Sequence, residues 1–77
     1  MKPGDYYIDD YYEPDTVVWK VSDLIGPDGH ECTIVYTSDP DVMSIGYNVA
    51  RSIDDEDLIP VAMITIDNKL MIIKLWK

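Results

Sequence analysis

The run Asp15-Thr16-Val17-Val18-Trp19-Lys20-Val21-Ser22-Asp23-Leu24-Ile25-Gly26-Pro27 decides the architecture. Val17, Val18, Val21, Leu24 and Ile25 follow helical spacing. Asp15 or Thr16 offers an N-cap, because either side chain can accept a hydrogen bond from a first-turn amide. Gly26-Pro27 is a helix stop: glycine suits the left-handed C-cap, and proline cannot continue the ladder. Strand propensity pulls the other way, since Thr16 to Val21 is mostly β-branched or aromatic. We weigh the periodicity above the propensity and expect a helix.

Downstream, Pro27-Asp28-Gly29 is a turn, and Thr33-Ile34-Val35-Tyr36-Thr37 reads as a strand. Asp39 then offers an N-cap, with Pro40 at the first helical position. Val42, Ile45, Val49 and Ile53 would be the buried stripe of that helix, with Gly46 weakening it. The same residues could instead turn a hairpin into a strand from Val42 to Tyr47; the helix signals are the stronger. Val61–Ile66 and Leu70–Trp76 are strands joined by a tight turn at Asp67-Asn68-Lys69. Both are apolar on both faces, which predicts the centre of a sheet covered on more than one side. One cover would be a helix. The other could be a second helix, a partner or a second copy. The expected class is α+β: a small antiparallel sheet of four to five strands with one or two helices, in a single domain over residues 1–77.

Upstream lies Asp5-Tyr6-Tyr7-Ile8-Asp9-Asp10-Tyr11-Tyr12-Glu13, ended by Pro14. If extended, one face carries Asp5, Tyr7, Asp9, Tyr11 and Glu13, and the other Tyr6, Ile8, Asp10 and Tyr12. A charge-protected edge strand is the reading of residues 1–15, with a disordered acidic arm competing. A rise of about 3.3 Å per residue spaces Asp5, Asp9 and Glu13 about 13 Å apart, a row of carboxylates that can stand in for phosphates. Tyr7, Tyr11 and Tyr12 would add contact area at low entropic cost.

Charge sharpens this picture. The chain has 15 acids and 6 bases, a formal charge of −9. Residues 1–57 hold fourteen of the acids and three of the bases, whereas residues 58–77 hold one acid and three Lys. That balance opposes direct binding of nucleic acid or an anionic membrane and favours a basic protein partner. The N-terminus has no apolar signal-peptide core, and the longest apolar stretch, Leu58 to Ile66, is too short to span a bilayer. A lone cysteine, Cys32, rules out an intramolecular disulfide and fits a cytoplasmic setting.

Chemistry-bearing patterns are sparse. His30 and Cys32 would share a strand face, yet no third group orients them as a base and nucleophile. Asp54-Asp55-Glu56-Asp57 is an acidic loop without the alternating ligands and glycine of an EF-hand. We expect neither catalysis nor a metal or other cofactor.

Several stretches resemble the small acidic uracil-DNA glycosylase inhibitors of bacteriophages with uracil-containing DNA. They are Val21-Ser22-Asp23-Leu24-Ile25-Gly26, Ile34-Val35-Tyr36-Thr37, Asp41-Val42-Met43-Ser44-Ile45, Pro60-Val61-Ala62-Met63-Ile64 and Asp67-Asn68-Lys69. The resemblance covers residues 17–77; the Tyr/Asp segment stands where the family has its first helix. It implies an antiparallel sheet with two helices and a DNA-mimicking acidic edge that enters the enzyme's DNA groove. It also implies an apolar pocket between helix and sheet, here Val21, Leu24, Ile25, Val35, Met43, Ile45 and Ile64, with Asp23 at an acidic helix position.

The expected function is that of a DNA-mimic inhibitor occupying the basic cleft of a host DNA-processing enzyme, the glycosylase first. The acidic contacts would be Asp5, Asp9, Asp10, Glu13, Asp15, Asp23, Asp54, Asp55, Glu56 and Asp57. A phage inhibitor of a CRISPR effector, or an immunity protein neutralising a basic nuclease, fits the same physics. Homodimerisation is a further expectation from the two-sided apolar strands.

Overall fold

A computed structural model describes residues 2–9, 14–41, 43–53 and 58–75. Its strands are β1 (Tyr6–Ile8), β2 (Val17–Gly26), β3 (Gly29–Thr37), β4 (Asn48–Arg51), β5 (Ile59–Ile66) and β6 (Lys69–Lys74). They form one antiparallel sheet in the order β4-β3-β2-β1-β5-β6. The expected α+β class is therefore corrected: the fold is all-β, with no helix among the described residues.

The deciding run is β2. Its β-branched and aromatic half finds a partner in the strand expected at Thr33–Thr37, which extends back to Gly29 as β3. Val17, Val18, Trp19 and Val21 are buried, while Leu24 and Ile25 are 60% and 71% exposed, so the helical stripe is not the buried face. The register slips between Val21 and Ile25, so Ser22, Asp23 and Leu24 form a bulge. Gly26 and Gly29 close the hairpin. Gly29 has φ +121°, and a Cβ there would stand 2.3 Å from the Arg51 carbonyl oxygen, so the turn requires glycine.

The expected helix after Asp39 is also corrected. Its cap is real but governs a single turn: the Asp41 amide donates to the Asp39 carboxylate (3.0 Å), and the Met43 amide to the Asp39 carbonyl (3.3 Å). Gly46, at φ +93°, then leaves helical space. Its amide donates to the Ile34 carbonyl, and the Ile34 amide donates to the Tyr47 carbonyl. The chain is thereby drawn into the ladder as β4. Of the expected stripe, Ile45 is exposed, whereas Val49 and Ile53 pack on the core; Val42 lies outside the described residues.

The β5–β6 hairpin forms as expected, with Asp67 and Asn68 at φ 53° and 63° in its two-residue turn. Its position differs from expectation. β5 pairs with β1, but β6 is an edge, and Ile64, Ile66, Leu70, Met71, Ile73 and Leu75 are exposed.

The Tyr/Asp segment is corrected in the opposite sense. β1 lies inside the sheet, flanked by β2 and β5, and is not an edge. Tyr7 pairs with Trp19 on one side and with Pro60 on the other. The core contains Tyr7, Val17, Trp19, Val21, Cys32, Ile34 and Leu58, with Met43, Val49 and Ile53 packed against it. Leu58, just before β5, lies in this core, and Ile53, just after β4, packs against it.

Candidate functional site

The structure divides the expected carboxylate row. Asp9 turns inward: it is 6% exposed and forms an ion pair with Arg51 from the end of β4. Those strands are three sheet steps apart, about 14 Å at ordinary spacing. Arg51 reaches across the core face, its guanidinium carbon 5.9 Å from the centre of the Tyr7 ring. Asp9 is thus neutralised within the fold and withdrawn from any partner surface. Asp5 is half-buried; its carboxylate accepts a bond from the Lys2 amide at 3.0 Å, and its carbonyl accepts one from Val21 at 2.9 Å. Asp10, Tyr11, Tyr12, Glu13 and Asp54–Asp57 lie outside the described residues.

Tyr7 is likewise no contact residue. It is fully buried and stacks on Trp19, with ring centres 6.3 Å apart and planes 9° from parallel. Burial pushes its phenol well above the ordinary value, with the Cys32 thiol acting in the same direction. The folded state therefore keeps this proton at a pH where the unfolded chain gives it up. The resulting stability is fully present below about pH 10 and declines above it, by about 1.4 kcal/mol per pH unit. Urea midpoints measured from pH 9 to 11.5 should fall more steeply for the native chain than for Tyr7→Phe. Parallel slopes would refute this origin of alkaline sensitivity.

Carboxylates converge elsewhere. The segments 14–16 and 38–41 are knitted into one corner. The Thr16 amide donates to the Ser38 hydroxyl oxygen (2.8 Å), the Ser38 amide to the Thr16 carbonyl (2.9 Å), and the Ser38 hydroxyl to Asp15 (3.4 Å). Thr37 Oγ1 accepts from the Asp39 amide at 3.2 Å. Asp15, bonded to Ser38, and Asp39, bonded to Asp41, bring three carboxylates to this corner. From sequence alone Asp15 is a site residue and Asp39 a helix cap. The Ser38-Asp39-Pro40-Asp41 turn chemistry was the available signal; its apposition to Asp15 was not.

At the other end of the sheet, Asp23 and Asp28 are exposed around the β2–β3 turn, with Glu31 half-buried nearby in β3. Leu24 and Ile25 line an open groove of about 380 Å³ with Glu31, Asn48 and Val49. The expected helix–sheet pocket is corrected, because no described helix exists to form it. Its seven residues scatter: Val21 is in the core, and Met43 packs on it. Val35 is half-buried in β3, Ile45 lies in the β3–β4 connection, and Ile64 lies on the terminal hairpin.

Cys32 is buried, and its thiol donates to the His30 carbonyl at 3.6 Å. Among the described residues no group of three His, Cys, Asp or Glu could hold a metal ion. Among the same residues no helix long and apolar enough to cross a membrane is found. No protein-family model matches the chain, and no curated protein or solved structure matches it significantly.

Proposed function

We propose that this chain is a binding protein, not an enzyme, that blocks the basic nucleic-acid-binding cleft of another protein by presenting carboxylates in place of phosphates. The observation that supports this reading is the Asp15–Asp39–Asp41 corner, built from two segments tied by backbone and hydroxyl hydrogen bonds. Once Asp9 and Arg51 cancel, described residues 2–53 keep Asp5, Asp15, Asp23, Asp28, Glu31, Asp39 and Asp41 against Lys2 and Lys20. Such a field accelerates encounter with a basic cleft by about 10–10³-fold at low salt. A fixed corner also loses less conformational freedom on docking than a mobile tail. The target proposed first is a DNA-processing enzyme of the host cytoplasm, uracil-DNA glycosylase, on the resemblance of residues 17–77.

The test is direct. Uracil excision by purified glycosylase should stop with excess of this protein, and unchanged excision removes that target. Association rates against a panel of basic nucleases and CRISPR effectors then identify the partner. For that partner, Asp15→Asn, Asp39→Asn and Asp41→Asn combined should slow association about tenfold or more at low salt and flatten its salt dependence. A triple variant that binds like the native chain would overturn the role of the corner.

A further inference from the structure

The terminal hairpin has a separate property. Leu75 donates its amide to the Pro60 carbonyl at 2.9 Å, so odd-numbered residues of this segment turn their backbone groups towards β5. Leu70, Ile72 and Lys74 therefore turn theirs outward, and no described strand lies beyond β6. The core-side face of the same hairpin carries exposed Ile64, Met71 and Ile73. An open edge beside an exposed apolar face is a template for strand addition.

We propose that β6 pairs antiparallel with β6 of a second copy about a two-fold axis at Ile72. This interface is independent of the acidic corner. In that register Ile72 faces its own copy, and Leu70 faces Lys74, so the outward groups exchange six backbone hydrogen bonds. Met71 of each copy faces Ile73 of the other. Together with Ile64 and Ala62 of each chain, they close a continuous apolar band across the seam. Lys69 and Lys74 never face a lysine among the described residues, which removes the like-charge penalty of direct opposition.

The register selects a copy, because the outward backbone groups and the Met71–Ile73 face are complementary to themselves, and the charge distribution permits it. Residues 58–77 hold one acid and three lysines, while residues 1–57 hold the acidic excess. Two copies joined at β6 keep their strongly acidic parts apart. A basic partner would meet Lys69 and Lys74, and an acidic peptide without apolar side chains would leave the Ile64, Met71 and Ile73 band uncovered.

Sedimentation equilibrium over micromolar to millimolar concentrations should give twice the 8.8 kDa chain mass at the upper end. Amide hydrogen exchange at the two ends of that range locates the contact. The Leu70, Ile72 and Lys74 amides should gain protection on dimerisation, while those of Met71 and Ile73 stay protected throughout. Met71→Lys with Ile73→Lys, both at exposed positions, should keep the circular dichroism spectrum and raise the dimer dissociation constant about tenfold or more. A monomer at every concentration overturns the proposal. So does a dimer in which the Leu70, Ile72 and Lys74 amides exchange as fast as in the monomer.

Discussion

Arg51→Met should destabilise the protein by about 3 kcal/mol, and Asp9→Asn by only about 1 kcal/mol. The asymmetry comes from burial. The Asp9 side chain is 4% exposed and the Arg51 side chain 28%. Removing the cation strands a carboxylate in the protein interior, where charge is poorly solvated. Removing the carboxylate leaves a guanidinium that can turn part of the way to water. Met keeps most of the apolar stem beside the Tyr7 ring, so the loss reports charge rather than a cavity. Urea unfolding of both variants at neutral pH checks the order. Equal losses, or a larger loss for Asp9→Asn, would show that the pair is not governed by the buried carboxylate. A functional corollary follows: folded Asp9→Asn should bind a basic partner as the native chain does, because Asp9 is absent from the presented surface.

The same pair shows where sequence reading stops. The alternation of Asp5, Tyr7 and Asp9 on one strand face was legible, because extended backbone alternates its side chains. Which face turns inward was not. That depends on Trp19 from β2 and on Arg51, forty-two residues from Asp9. The Asp67-Asn68 hairpin was readable because both residues tolerate positive φ, a purely local property. Local chemistry misled at Asp39, where a genuine cap starts one turn and the Ile34 ladder claims the following residues. In β2 the apolar spacing suited a helix, but pairing with β1 and β3 satisfies its backbone and buries Trp19. The acidic corner needed knowledge that Thr16 sits against Ser38, a contact between segments distant in sequence.

Trp19→Ala should destabilise the protein by about 3–5 kcal/mol, the largest loss expected from any single core truncation here. Trp19 is 2% exposed and faces Tyr7 on one neighbouring strand and Ile34 on the other. Truncating a buried Trp to Ala typically costs about 3–5 kcal/mol, from lost transfer free energy and the cavity left behind. A chain of 77 residues has a total stability of about 4–12 kcal/mol, with small domains at the lower end. The loss therefore consumes much or all of the margin. Leu24→Ala and Ile25→Ala, at exposed sites of the same strand, should shift stability by no more than about 0.5 kcal/mol. Thermal melts of the three variants test this contrast. Comparable destabilisation at Leu24 would mean that the bulged end of β2 is packed rather than solvated. The core variant also calibrates the functional test. Trp19→Ala should lower its melting midpoint and lose partner binding as it unfolds through that midpoint. The Asp15, Asp39 and Asp41 amide variants should lose binding while keeping theirs, because no core contact depends on those carboxylates. That separation makes weaker binding by the acidic-corner variants attributable to surface charge.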